Sequence, residues 1–296
     1  MPDGPDNPLI TADELREALS SGELPVVLDV RSGHAGRAAF LAAHLPTAVY
    51  VDLQADLSGP GSPQEGRTPL PAAELLQEAM RAWGISSARP VVVYDDARGL
   101  TAARAWWLLR WAGHPQVRLL DGGLSAWRAA GGEISTELAA PTRGHVTVRT
   151  GSLPVWTAAD VIALPATGVL VDAREPARYS GRAELLDPVA GHIPGAISVP
   201  TTGNLAGDGR FLSSAELRAR FRENGVEGRD PIVVYCGSGV TAAHELVALQ
   251  VAGLEGVMYP PSWSGWIADP ARPVVTGDGP ETGTFHPAGG PASTTG

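Results

Sequence analysis

The chain has 296 residues, a formal net charge of −10 and a single cysteine. That length exceeds one ordinary domain and suits two of roughly 130 to 150 residues, while the acidic balance sets nucleic acid aside as a partner. One cysteine excludes an intrachain disulfide and any multi-thiolate metal site, and it fits a reducing, cytoplasmic compartment.

Read from the N-terminus, Met1 to Glu14 carries four acids and no basic region ahead of an apolar core, unlike a secretory leader. Thr11 with Glu14 three residues on predicts a capped helix start. A β-branched run, Val26-Val27-Leu28-Asp29-Val30-Arg31, predicts a strand, followed by the turn His44-Leu45-Pro46-Thr47-Ala48. Pro90 to Tyr94 predicts a second strand and Leu100 to Ala112 a helix; Ala105 to Ala112 is the richest apolar run, but Arg110 cuts it well short of the ~20 residues of a membrane span. Trp106, Trp107 and Trp111 lie at helical spacing there and read as packing against a sheet or the other domain. Gly122 to Trp127 closes the half on a tryptophan-bearing turn.

The second half repeats the first. Thr157 with Asp160 caps a helix, and Val169-Leu170-Val171-Asp172-Ala173-Arg174 is a strand ending in an acid and an arginine. His192-Ile193-Pro194-Gly195-Ala196 matches the earlier turn. Ser213 or Ser214 starts a helix, Pro231 to Tyr235 is a strand, Val240 to Ala252 a helix, and Pro261 to Trp266 the tryptophan turn. Corresponding features in one order mark a duplication. Short runs apolar on both sides are what strands covered on both faces of a parallel sheet require. The expected architecture is therefore α/β: two tandem domains, each a doubly wound, mainly parallel sheet flanked by helices. Boundaries are set at 8–134 for the first domain, 135–154 for a linker, 155–276 for the second domain and 277–296 for a Gly/Pro/Thr-rich tail expected to be disordered.

Cys236 follows the strand ending at Tyr235 and opens Cys236-Gly237-Ser238-Gly239-Val240-Thr241-Ala242. The carboxyl end of a strand in an open α/β sheet is where ligands bind. Glycines let such a loop curl so that N–H groups face inward, and the helix that follows adds its positive end. Both favour the thiolate, the nucleophilic form of cysteine. The competing reading, a cysteine buried only for packing, does not explain this loop. Asp95 follows Tyr94 where Cys236 follows Tyr235. A carboxylate lacks the thiolate's nucleophilicity, so one such site per chain is expected, in the second half.

The Cys236–Ala242 loop, the Gly191 to Ala196 turn and the duplicated layout resemble the two-domain rhodanese and mercaptopyruvate sulfurtransferase family over about residues 8 to 275. The resemblance implies two rhodanese-like domains, the first catalytically inactive, and double displacement: Cys236 takes sulfur from a small-molecule donor as a persulfide and passes it to a thiol, cyanide or thioredoxin-like acceptor. It implies no cofactor and no metal; the lack of a long apolar run argues against a membrane partner, and two domains that cover one another give no reason to expect more than a monomer. Gly237 and Ser238 make the loop neutral, like the mercaptopyruvate-type loop, where thiosulfate-type members carry basic residues; 3-mercaptopyruvate is therefore the favoured donor and thiosulfate the alternative. Ser238 is the expected proton relay to the leaving enolate, or else a small turn residue. Gly237, Gly239, Val240 and Thr241 cradle the substrate and sulfur. Arg178 matches the relatives' substrate arginine and suits a carboxylate bidentately. Arg174 repeats as Arg31 and is read as structural.

Two departures stand out. Mercaptopyruvate-type relatives often carry a second arginine nine residues past the first; here no arginine stands near Asp187-Pro188, and Arg182 is the nearby alternative. His44 matches a proton-relay histidine, yet no acid lies between Gly33 and Ala43, and it equally reads as a turn residue repeated at His192. Trp263 is expected either to wall the pocket or to pack in the core. Two further classes also use a reactive cysteine. A cysteine phosphatase needs an arginine six residues past the cysteine, where Ala242 stands; a persulfide carrier without turnover would use the same Cys236 loop.

Overall fold

The computed structural model describes residues 7–22, 24–87, 89–280 and 284–287. In the first half the elements are β1 (Leu9–Ile10), α1 (Ala12–Ser20), β2 (Val26–Arg31), α2 (Gly33–Ala42), β3 (Val49–Asp52), α3 (Ala73–Ala82), β4 (Val91–Tyr94), α4 (Ala102–Trp111), β5 (Val117–Leu120) and α5 (Gly123–Ala129). The second half contains α6 (Ala158–Ile162), β6 (Val169–Asp172), α7 (Pro176–Tyr179), β7 (Ala196–Ser198), α8 (Ser214–Glu223), β8 (Ile232–Tyr235), α9 (Thr241–Val251), β9 (Val257–Met258), α10 (Ser262–Trp266), β10 (Pro273–Thr276) and β11 (Thr284–Pro287).

The helix starts form where side chains satisfy the orphan N–H groups of the first turn. Thr11 with Glu14, Thr157 with Asp160 and Ser213 with Glu216 each close a reciprocal capping box, worth about 1 kcal/mol apiece. The strands β2, β4, β6 and β8 are buried at every residue, as the unbroken apolar runs predict for sheets covered on both faces.

The first sheet runs β1-β5-β4-β2-β3 and the second β7-β6-β8-β9, parallel throughout. The duplication is visible in register: Asp29 pairs with Tyr94 on β2 and β4, and Asp172 with Tyr235 on β6 and β8. The second sheet's counterpart of β1 is reduced to a single parallel bridge between Val155 and Met258. In each half the strand-end tyrosine hydroxyl accepts the backbone N–H of the turn, Leu45 at 2.9 Å and Ile193 at 3.1 Å.

Between the sheets, α4 packs against α9, and one apolar cluster runs through both halves, including Trp106, Trp107, Val171, Ala243 and Val247. The tryptophans of α4 are core residues, Trp107 stacking on Trp111 at 6.0 Å. This face-to-face packing puts the carboxyl ends of the second sheet's central strands against loops of the first half. Within the stretch expected as a disordered tail, 277–296, Thr284–Pro287 pairs antiparallel with β10. Residues 281–283 and 288–296 lie outside the described residues. Among the described residues no helix is long and apolar enough to cross a membrane.

Candidate active site

Cys236 stands between the end of β8 and the start of α9 and is 2% exposed. Its root is fixed from both sides by α10. The Cys236 N–H donates to Ser262 Oγ at 3.1 Å, and its carbonyl accepts the Trp263 N–H at 2.9 Å. Ser262 itself holds a left-handed backbone (φ 53°), an unfavourable conformation for a side-chain-bearing residue that persists only when its surroundings demand it; here its hydroxyl also donates to the Tyr259 carbonyl at 3.1 Å.

The loop curls back on the sulfur. The Gly239 N–H donates to Cys236 Sγ at 3.1 Å. Gly239 does this at φ +79°, and a methyl group there would lie 2.7 Å from the Pro260 carbonyl, so this position demands glycine. Val240 and Thr241, half-buried, form the junction with α9 and aim its N-terminus at the loop. Ser238 is half-buried, and its hydroxyl has no partner among the described residues.

Arginines converge on this loop from both halves. A methyl group placed on Gly237 would sit 3.2 Å from Arg178 Nη1 and 3.1 Å from Arg67 Nη2. Arg178 is held by Glu184 at 2.9 and 3.0 Å and by Asp187 at 3.0 Å; Arg67 also donates to Asp187. Arg174 behaves as its repeat suggests, being buried and bonded to Asp172 and the Gly191 carbonyl; Arg31 does the same with Asp29.

Arg104 was not singled out by sequence, although a lone arginine in the apolar face of α4 was the available signal. Fully buried, it reaches across the interface to the Gly239 carbonyl (3.3 Å) and within its own half to those of Thr68 (3.0 Å) and Pro69 (3.3 Å). It has no carboxylate partner among the described residues, and its Nε is unpaired. Burial pushes its guanidinium down to about 10, and the sulfur of Cys236 is the group that opposes the shift. Four guanidiniums (Arg67, Arg104, Arg174, Arg178) thus face three carboxylates (Asp172, Glu184, Asp187). The charge left over suits an anion on the sulfur.

The corresponding loop of the first half is closed by its own side chain. The Asp95 carboxylate accepts the N–H groups of Ala97, Gly99 and Thr101 at 2.8 Å and of Ala102 at 2.9 Å, and the Thr101 hydroxyl at 2.8 Å. An anion therefore already fills that nest.

Three expected residues lie elsewhere. Arg182 is exposed and pairs with Asp278 at 2.8 Å, past the end of β10. The His44 ring nitrogens face the Phe40 (2.7 Å) and Glu137 (3.0 Å) carbonyls, and the ring stacks on Phe40, so it serves its own turn. The buried Trp263 ring packs in the second core under the Arg174 guanidinium and donates to the Val189 carbonyl at 3.0 Å; only its backbone touches the loop. Among the described residues no three His, Cys, Asp or Glu side chains converge as a metal ion requires.

A family model for the rhodanese-like domain matches residues 11–130 and again 157–269. The Mycobacterium tuberculosis protein SseB, which carries a thiosulfate sulfurtransferase name, is 46% identical over 275 residues, covering 91% of this chain and 97% of its own. A Pseudomonas aeruginosa protein with a 3-mercaptopyruvate sulfurtransferase name is 44% identical over 288 residues, covering 91% and 98%. Among solved structures, SseA from Escherichia coli, described as a 3-mercaptopyruvate sulfurtransferase with the rhodanese fold, superposes with a TM-score of 0.77 at 33% identity, covering 87% of this chain and 99% of SseA.

Proposed function

The chain belongs to the two-domain rhodanese family and is a sulfurtransferase, and we propose that it transfers sulfur through a persulfide on Cys236, with 3-mercaptopyruvate as donor. The observation that carries the reading is the lone cysteine in a glycine loop, its sulfur bonded by the Gly239 N–H and set against more guanidinium than carboxylate.

In the proposed first step the Cys236 thiolate attacks the donor's sulfur. The Sγ–S bond forms as the C–S bond of 3-mercaptopyruvate breaks, and the pyruvate enolate leaves with the electron pair. The Ser238 hydroxyl, uncommitted at the loop surface, relays the proton that gives pyruvate, passing it to the enolate while taking one up from the donor's thiol or from solvent. Arg178 binds the donor carboxylate, and Gly237, Gly239, Val240 and Thr241 shape the pocket around the outer sulfur. In the second step an acceptor thiolate or cyanide attacks the outer sulfur. The S–S bond breaks, a persulfide or thiocyanate departs, and the Cys236 thiolate returns. A small dithiol or a thioredoxin-like protein suits the acceptor role. The first domain, with Asp95 in its loop, takes no sulfur. We assign the enzyme to the cytoplasm as a monomer, following its single thiol and its two mutually covering domains.

A second donor has one specific observation in its favour: two guanidiniums, Arg67 and Arg178, over the loop suit the dianion thiosulfate. The assay is sulfur transfer to cyanide or dithiothreitol from each donor, for the wild type and Cys236→Ser. Faster turnover with 3-mercaptopyruvate, lost in Cys236→Ser, supports the reading; faster turnover with thiosulfate reassigns the donor. An active Cys236→Ser enzyme would overturn the mechanism, and a protein that loads sulfur but does not turn over is a carrier.

A further inference from the structure

We propose that Arg67, contributed by the first domain, is the second guanidinium of the donor-anion site and makes the enzyme sensitive to donor charge. This rests on the Cys236 reading above.

Three observations converge. The first is placement: the Arg67 and Arg178 guanidiniums, from opposite domains, come within 3.1 and 3.2 Å of where a methyl group on Gly237 would lie, directly beside the nucleophile. The second is anchoring. The Arg67 backbone N–H donates to Ser264 Oγ at 3.1 Å, and the Ser264 N–H donates to the Gly237 carbonyl at 3.0 Å, so Arg67 and the sulfur-bearing loop hang on one residue. Gly66 allows this approach, since a methyl group there would lie 2.5 Å from the Pro261 carbonyl.

The third is orientation. Asp187, whose side chain is 3% exposed, accepts from Arg67 Nη1 and from Arg178 Nη2, tying two like charges together from the inner side. Arg67 Nη2 and Arg178 Nη1 are left facing the loop, on side chains 38% and 22% exposed. Two cations held this close repel one another, and burial together with Arg178 lowers the Arg67 guanidinium while Cys236 and Glu184 oppose the shift. An anion bridging the two free edges relieves that repulsion. Position 187, nine residues past Arg178, thus carries an acid that recruits a cation from the facing domain.

The test uses the independence of the half-reactions in a double displacement. Arg67→Met is expected to lower kcat/KM for the donor about 10- to 100-fold, through KM and more for thiosulfate than for 3-mercaptopyruvate, the range of one charge-assisted hydrogen-bond pair. The value for dithiothreitol, which carries no carboxylate or thiosulfonate group for the two guanidiniums to clamp, is expected to stay within about twofold. Arg67→Lys should recover part of the loss, keeping the charge without the fork. Donor kcat/KM within about twofold of wild type in Arg67→Met, or equal losses in both half-reactions in Arg67→Met and Arg67→Lys, would overturn the assignment. Cys236→Ser run alongside separates the readings. If it is inactive while Arg67→Met is unaffected, only the clamp falls; if it is active, the persulfide mechanism falls and takes the clamp with it.

Discussion

Replacing Gly239 by Ala tests whether the loop's curl produces the chemistry. The residue sits at φ +79°, where a side chain costs about 1 kcal/mol. The added methyl would lie 2.7 Å from the Pro260 carbonyl, a backbone atom, and 3.3 Å from Arg104 Nη1. Relieving that overlap by shifting backbone costs a further ~1 to 3 kcal/mol, so a total of about 2 to 4 kcal/mol is expected in urea denaturation. The shift also pulls the Gly239 N–H away from Cys236 Sγ, now at 3.1 Å. Loss of a hydrogen bond to a charged group is worth about 1.5 to 3 kcal/mol, or roughly 10- to 150-fold in kcat/KM for the donor at ~1.4 kcal/mol per decade. Stopped-flow loading of the enzyme with donor, under conditions where the variant stays folded, reads the second number apart from the first. A variant destabilised as expected that still loads sulfur at the wild-type rate would show that this N–H does not serve the sulfur anion.

Other outcomes follow from the same geometry. Arg104→Met removes a fully buried cation that has no carboxylate partner but strands the Gly239, Thr68 and Pro69 carbonyls, so stability should fall by about 1 to 3 kcal/mol while donor kcat/KM falls about 10- to 100-fold; parallel denaturation and kinetics check this, and undiminished activity would refute it. Asp95→Ala leaves four N–H groups at the start of α4 without their acceptor and should cost about 3 to 5 kcal/mol in denaturation. Glu245 is buried on α9, bonded to Asn204 Nδ2 at 2.7 Å with Oε1 unpaired, and burial raises its carboxyl from the ordinary 4.5 to about 7. The folded state therefore holds this proton more tightly than the unfolded state, and stability falls as pH rises from about 4.5 to about 7, by an amount on the order of 3 kcal/mol. Glu245→Gln should lose that slope and gain on wild type at pH 8 rather than pH 5, as thermal melts at both pH values would report.

Sequence made the second domain's site more legible than the first domain's share of it. Cys236, Gly237 and Gly239 could be read because their chemistry is local: a strand end, a curled loop and a helix start are adjacent in the chain. The duplication separated Arg174, mirrored by Arg31, from Arg178, which has no mirror. Arg67 and Arg104 escaped because their role exists only across the interface, some 170 and 130 residues from Cys236 in the chain. Nothing near Gly66-Arg67 signals contact with α10; Arg104 left one trace, a charge inside an otherwise apolar helix face. For His44 the two readings stood level, since a motif position does not say which way a ring points, and its ring nitrogens face the Phe40 and Glu137 carbonyls.

The Asp95 nest has a consequence for how the two halves divide their work. A loop that holds its own covalently attached anion can neither load nor release one, so it never passes through the empty state that its twin must visit on every cycle. The first domain is thereby a permanently occupied copy of the machine. The surface it presents to the facing loop, with Arg67 and Arg104, thus belongs to a half whose own loop needs no incoming anion to be complete.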